Sequence, residues 1–262
     1  MNTAIIRTEQ LSRSFGSVQA VNELTLEIPA GIVFAFLGPN GAGKTTTIQL
    51  LLGLLEPSHG CSSVLGFDTR TQADKIREHT GALLEFSGLY ERMSAEDNLD
   101  FYGRIYQMPV SERRARIKEL LTHLDLWDRR GERVGTWSRG MKQQLAVARA
   151  LLHHPQLVFL DEPVAGLDPI AASRLNNELA SLVKQEGVTV FLSTHNMADA
   201  QKLAGDLRLD LYDSGRFNRA YHTQFGGHGF LGGLGHRHRD DGRTGGALNG
   251  LRWFAGVEQQ QA

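Results

Sequence analysis

From Ala4 to Ile28 short apolar runs alternate with polar breaks, the period-two texture of strands joined by hairpins. Ile32 to Leu37 is then continuous, rich in aromatic and β-branched residues, and ends at a glycine, which predicts a strand buried on both faces. Thr45 to Leu55 is apolar at helical spacing and stops before Pro57, so the order is strand, glycine loop, helix. From Ser94 to His154 the pattern is helical. Ser94 with Asp97, Ser111 at the head of a charged turn, and Ser138 before a long apolar-periodic run predict three helix starts. Two further buried strands follow, Leu157 to Leu160 and Val188 to Ser193, with a helix between them that opens at Asp168-Pro169.

After Gly205 the texture changes. Leu207, Leu209 and Leu211 alternate with charged or aromatic residues, a half-exposed strand pattern, and Gly226 to Gly250 holds ten glycines in twenty-five residues. The expectation is one domain over 1–205, with a helical subdomain at about 86–154, followed by a poorly ordered Gly/Arg/His-rich tail over 206–262.

Composition narrows this picture without directing it. Hydrophobic residues make up 41% and charged residues 22% of 262, an ordinary soluble balance. With 28 basic against 29 acidic residues, bulk electrostatics offer no argument for nucleic-acid binding. Cys61 is the single cysteine, which excludes an intrachain disulfide and fits a reducing compartment. The longest apolar run, Ile32 to Leu37, is far short of the roughly 20 residues that span a bilayer. Any membrane role is therefore expected to come through a partner.

The chemistry begins at Gly38-Pro39-Asn40-Gly41-Ala42-Gly43-Lys44-Thr45, which matches GxxxxGK[ST] and sits between a buried strand and a helix start. Glycines let successive N–H groups converge on phosphate oxygens, and the helix N-terminus adds positive partial charge. Lys44 is expected at the β- and γ-phosphates and Thr45 at Mg²⁺. Leu157 to Leu160 ends in Asp161 and Glu162, two carboxylates at the edge where open α/β folds bind ligands. Asp161 is expected to hold Mg²⁺ through water and Glu162 to act as general base. The fold these features predict is α/β: a P-loop NTPase core of mainly parallel sheet with flanking helices, plus N-terminal antiparallel strands and an inserted α-helical subdomain. Four histidines in the tail, His222, His228, His236 and His238, lack regular spacing and predict no metal site beyond Mg²⁺.

Thr136-Trp137-Ser138-Arg139-Gly140-Met141-Lys142-Gln143-Gln144, followed by AVARALLHHPQLVFLDEP, resembles the signature helix of the ATP-binding cassette (ABC) family and its run into the acidic strand. Ser138 and Gly140 keep the family's serine and second glycine, while Arg139 and Met141 replace its first glycine and glutamine. Ala165-Gly166-Leu167-Asp168 and Ser193-Thr194-His195 resemble two further family loops, and Phe15 stands where the family stacks an aromatic on adenine. Glu85 occupies the usual position of a glutamine. The likeness covers residues 4 to about 203, and the segment around Glu85 resembles exporter subunits of the drug and antibiotic resistance type.

The resemblance implies an ATP-hydrolysing subunit that powers a membrane permease, exporting a drug, antibiotic, lipid or other small molecule. Its cofactors would be ATP and Mg²⁺, its place the cytoplasmic face of the membrane, and its partners a permease and a second cassette, as homodimer or heterodimer. No direct nucleic-acid contact is expected; a soluble ABC ATPase acting on nucleic acid or the ribosome is the alternative. The implied catalytic groups are Glu162, His195, Lys44 and Glu85, and the implied metal groups are Thr45, Asp161 and Glu85. Nucleotide contacts would fall on Phe15, the loop from Gly38 to Thr46 with its Thr45 and Thr46, and Ser138, Gly140 and Asp168. In that family two cassettes close head to tail, so Ser138 would face the partner's γ-phosphate. The family's Asp-Arg pair is incomplete, since the arginine directly after Asp206 is missing. The native end is therefore expected to be replaced after about residue 205 by a shifted frame or recombined gene end, or extended by a disordered segment.

Overall fold

The computed structural model describes residues 4–196 and the backbone of two later strands, Arg208–Asp213 and Arg219–Gln224. A first hairpin pairs β1 (Ala4–Phe15) with β2 (Val18–Pro29), and β4 (His59–Val64) and β5 (Phe67–Asp68) complete an antiparallel sheet in the order β2-β1-β4-β5. The second sheet holds β3 (Val33–Leu37), β6 (Thr80–Leu83), β7 (Leu157–Asp161) and β8 (Thr189–Thr194), with the later strands as β9 and β10. Its order is β10-β9-β3-β8-β7-β6, all neighbours parallel except the β9–β10 hairpin. Helices α1 (Lys44–Leu51), α2 (Ala73–His79) and α6 (Pro169–Glu186) connect strands, while α3 (Ala95–Ile105), α4 (Val110–His123) and α5 (Arg139–Leu151) lie between β6 and β7.

The continuous apolar run of β3 has a direct structural cause. Val33, Ala35 and Leu37 join one core with Leu99, Leu120, Leu145 and Leu179 from the helices. Phe34 and Phe36 point the other way, into a core built from α1 and the antiparallel sheet, including Ile6, Leu24 and Ile48. Alternation by two thus feeds both layers from one strand. Phe191 anchors the second core, its ring 5.2, 5.8 and 5.4 Å from those of Phe34, Phe36 and Phe159. Burying one such side chain contributes about 1.5–3 kcal/mol.

Caps behave as their residue types dictate. Ser94 accepts from Asp97 N, Ser138 from Met141 N, and Asp168 from Ile170 N and Ala171 N with Pro169 opening the helix. Two expectations need correction. The second helix of the insert starts at Val110 with Pro109 as its cap, so Ser111 lies inside the first turn and caps nothing; the proline's extended backbone hands its carbonyl to Arg113 N at 2.9 Å. The first helix ends at Leu51, before the expected Leu55, because Gly53 turns the chain at φ +63. A Cβ there would sit 2.6 Å from Thr69 O.

The segment after residue 205 contributes to the large sheet. Arg208–Asp213 runs parallel to β3, with Leu209 opposite Val33 and Leu211 opposite Ala35, and Arg219–Gln224 pairs on its far side. Backbone groups of β3 that would otherwise form an open edge are thereby paired. Residues 225–262, with the glycine-rich stretch and three of the four tail histidines, lie outside the described residues.

Candidate functional site

The strand, glycine loop and helix expected over residues 32–55 place the loop at the carboxyl edge of the parallel sheet, and the ends of β7 and β8 meet it there. A cleft of about 260 Å³ opens at this point. Asn40, Gly41, Gly43, Lys44, Thr45 and Thr46 line it from the loop side, Ala20 from β2, and Asp161 and Glu162 from the end of β7.

The loop's shape depends on its glycines. Gly41 and Gly43 adopt φ +83 and +81, and a Cβ on Gly43 would fall 2.0 Å from Ala20 O. Gly43 therefore serves both the left-handed turn and the close approach of β2. Lys44, 6% exposed, curls back so that its Nζ donates to Gly38 O at 2.7 Å and Pro39 O at 3.1 Å, and it stands 3.6 Å from Glu162 Oε1.

Thr45 Oγ1 donates to Asp161 Oδ2 at 2.5 Å. Two hard oxygen donors so placed beside a phosphate loop suit Mg²⁺, which favours carboxylate and hydroxyl ligands with phosphate. Asp161 Oδ1 accepts from Ser193 Oγ. Glu162 is turned into the left-handed region at φ +49, which costs a non-glycine residue about 1–2 kcal/mol. Its amide donates to Ser193 O at 3.1 Å, and the turn aims its carboxylate at His195, whose Nδ1 lies 2.9 Å from Glu162 Oε1. Gln143, on the first turns of α5, donates to Glu162 O and to Pro163 O at 3.2 Å, tying the insert to the acidic turn.

Lys44, Thr45, Asp161, Glu162 and His195 are thus assembled in one place, as are Gly38 to Thr46. Other sequence candidates stand outside the cleft. Glu85 lies two residues beyond the end of β6 with its carboxylate in solvent, because the chain leaves the sheet edge there toward the helical insert. Ser138 and Gly140 open α5 at the surface, and a Cβ on Gly140 would meet Leu167 at 3.4 Å, so this helix start rests on the 165–168 loop. Asp168 caps α6, and hydrogen bonds from Ala171 N and Ile170 N hold its carboxyl below the usual range. Phe15 sits where β1 turns into β2, half exposed, with the Arg13 guanidinium 4.6 Å from its ring centroid. Two residues of the network, Ser193 and Gln143, carried no functional expectation. Their roles depend on neighbours 31 and 20 positions away, which strand and helix periodicity do not reveal.

Likeness to known proteins agrees with this geometry. Residues 21–165 match the family described as ABC transporter. The ABC transporter ATP-binding protein NatA of Bacillus subtilis (strain 168) is 42% identical over 187 residues, 71% of this chain and 76% of that protein. The bacitracin transport ATP-binding protein BcrA of Bacillus licheniformis is 37% identical over 201 residues, 77% of this chain; the chain spans only 65% of BcrA, under two thirds of its length. A solved structure of an ATP-binding subunit of an ABC transporter superposes with a TM-score of 0.74 at 29% identity, covering 83% of this chain and 90% of that one. A match of this extent, on a chain whose loop and acids already meet in one cleft with His195 on Glu162, makes this chain a member of the ABC transporter family.

Proposed function

We propose that the chain binds and hydrolyses ATP and that this drives a membrane permease in export of a small molecule, in the manner of its transport relatives. The observation that carries the reading is the convergence of Lys44, Thr45, Asp161, Glu162 and His195 around one cleft. Loop amides and Lys44 bind the phosphates, and the helix start behind them stabilises the charge. Thr45 and Asp161 would hold Mg²⁺, which would supply positive charge to offset that of the phosphates. Glu162 takes a proton from water as the water oxygen bonds to the γ-phosphorus and the bond to the β–γ bridging oxygen breaks, releasing ADP and phosphate. His195 fixes the Glu162 carboxylate through its Nδ1. Glu85, at the same sheet edge, would reach the cleft only through movement of its loop.

No helix among the described residues is long and apolar enough to cross a membrane. Phe86, Tyr90, Phe101 and Ile105 are exposed on and next to the helical insert, an apolar surface that supports docking of a permease segment. The exposed α5 start, with Ser138 at its cap, supports the reading that a second cassette completes each site, as homodimer or heterodimer. Glu162→Gln tests the assignment. It is expected to lower kcat by about 10²–10⁴-fold while ATP binding persists; unchanged steady-state hydrolysis removes Glu162 as the base.

A further inference from the structure

We propose that Ser193 is a positioning residue that sets both carboxylates of the site through a single hydroxyl; the assignment rests on the ATPase reading above. Ser193 is completely buried on β8, and the parallel register places it directly opposite Asp161. Residues paired in this way present side chains to the same face of the sheet.

A serine hydroxyl has one hydrogen to give and two lone pairs. Here the hydrogen goes to Asp161 Oδ1, while a lone pair accepts from Glu162 N at 3.3 Å. Asp161 is consequently gripped from both sides, by β8 through Oδ1 and by α1 through Thr45 at Oδ2. Oδ1 is committed to β8, and Oδ2 faces the phosphate loop. Rotation of the carboxylate would break the first bond to improve the second.

Glu162 depends on the same residue. Its amide is shared between Ser193 O and Ser193 Oγ. A residue at φ +49 persists only where its surroundings over-determine it, and this three-centre bond is such a determinant. The turn it fixes brings Glu162 Oε1 to 2.9 Å from His195 Nδ1 and 3.6 Å from Lys44 Nζ. A small buried residue that merely filled space on β8 would need no hydroxyl, and alanine would serve as well.

Ser193→Ala and Ser193→Cys in the full-length chain decide between these roles. Cysteine is close to serine in volume and donates more weakly. The readings are fluorescent-ATP binding in EDTA, the Mg²⁺ midpoint for the bound nucleotide, kcat and KM for ATP, and the thermal midpoint. For Ser193→Ala we expect EDTA binding and KM within about twofold of wild type, with a Mg²⁺ midpoint and kcat each worse by about 10–100-fold, the range seen when a partner that orients a metal ligand is removed. Ser193→Cys falls between alanine and wild type, and it supplies the same readings if the alanine variant does not fold. Wild-type Mg²⁺ midpoint and kcat in the folded variants overturn the assignment. So does EDTA binding lost in step with the thermal midpoint, which marks a packing role. If wild type itself fails to bind Mg-ATP, the ATPase reading falls and this one with it; if wild type binds and the variants match it, only the Ser193 assignment falls.

Discussion

Strands β6 and β7 are parallel neighbours in register, Leu83 opposite Leu160, yet their carboxyl ends differ in kind. At the end of β7, Asp161 and Glu162 are held by Thr45, Ser193, Gln143 and His195. Beyond β6, Glu85 makes no hydrogen bond or ion pair among the described residues, and Phe86 is 84% exposed. Two acidic ends on one sheet edge have thus been used in opposite ways. The proposed base and metal ligand need geometry fixed before substrate arrives, because preorganised groups need no rearrangement in the transition state. A segment that meets a partner gains from being free to move. The free end of β6 is not a loose strand, however. Arg149 Nη2 donates to Ala82 O at 2.8 Å, and the His153 ring, stacked on Tyr106 at 3.7 Å, lies 3.2 Å from Thr80 O. Arg149 on α5 and His153 just beyond it therefore pin the body of β6 and leave only its end free.

The strongest way to break the contrast is to disturb the fixed side. Gly43→Ala would drive a Cβ into Ala20 O at 2.0 Å and force an unfavourable φ of +81. Loss of nucleotide affinity by more than about 100-fold is expected in equilibrium binding, together with a lowered thermal midpoint. Retained affinity would mean that the loop does not need its present path. Lys44→Ala comes next. It removes the cation at the cleft and is expected to weaken ATP binding by about tenfold or more, the size of a charge-assisted hydrogen bond, whereas Glu162→Gln leaves binding intact and stops turnover.

The pinning of β6 has its own pH signature. Burial pushes the His153 imidazole down to about 4, outweighing the Thr80 carbonyl that favours the proton, so the folded chain keeps this ring neutral. Between pH 6.5 and 4 the unfolded chain binds that proton and the folded chain does not, so stability falls as pH falls through this window. From pH 7 to pH 5 the loss from this group is about 2 kcal/mol. Urea unfolding of wild type and His153→Gln at the two pH values measures it: the wild type should lose about 2 kcal/mol more than the variant. Equal losses would show that His153 is solvated.

What was legible in the sequence is what depends on near neighbours. The phosphate loop, the capping residues Ser94, Ser138 and Asp168, and the acid pair ending β7 are each defined within about ten residues, and the structure has them where the pattern put them. Pro109 stands at the cap expected of Ser111 because the path of the chain, set beyond the local pattern, brings its carbonyl to Arg113 N. Ser193 read as one more residue of a buried strand, since its partner Asp161 is set by register across the sheet. The place of Arg208–Asp213 beside β3 was illegible for the same reason: alternation shows that a segment can be a strand, not which neighbour it takes. Glu162's left-handed turn has no sequence signal, because glutamate rarely adopts it.

Glu85→Gln makes the smallest change and sharpens the contrast most. The sequence resemblance places Glu85 among the catalytic and metal groups, whereas the structure leaves its carboxylate in solvent beyond β6 and outside the cleft. A solvent-exposed charge at that remove is largely screened at physiological salt. Removing one negative charge without changing the side chain's length should therefore alter ATP affinity by less than about twofold and basal hydrolysis by less than about threefold. Coupling to a permease is a separate reading. If this end of β6 serves the partner, transport-linked stimulation of hydrolysis in membrane vesicles should change more than the basal rate does. A basal loss of tenfold or more would instead mean that the loop folds inward when nucleotide binds, bringing Glu85 to the metal beside Asp161, and the division between a fixed and a free end would then describe only the nucleotide-free chain.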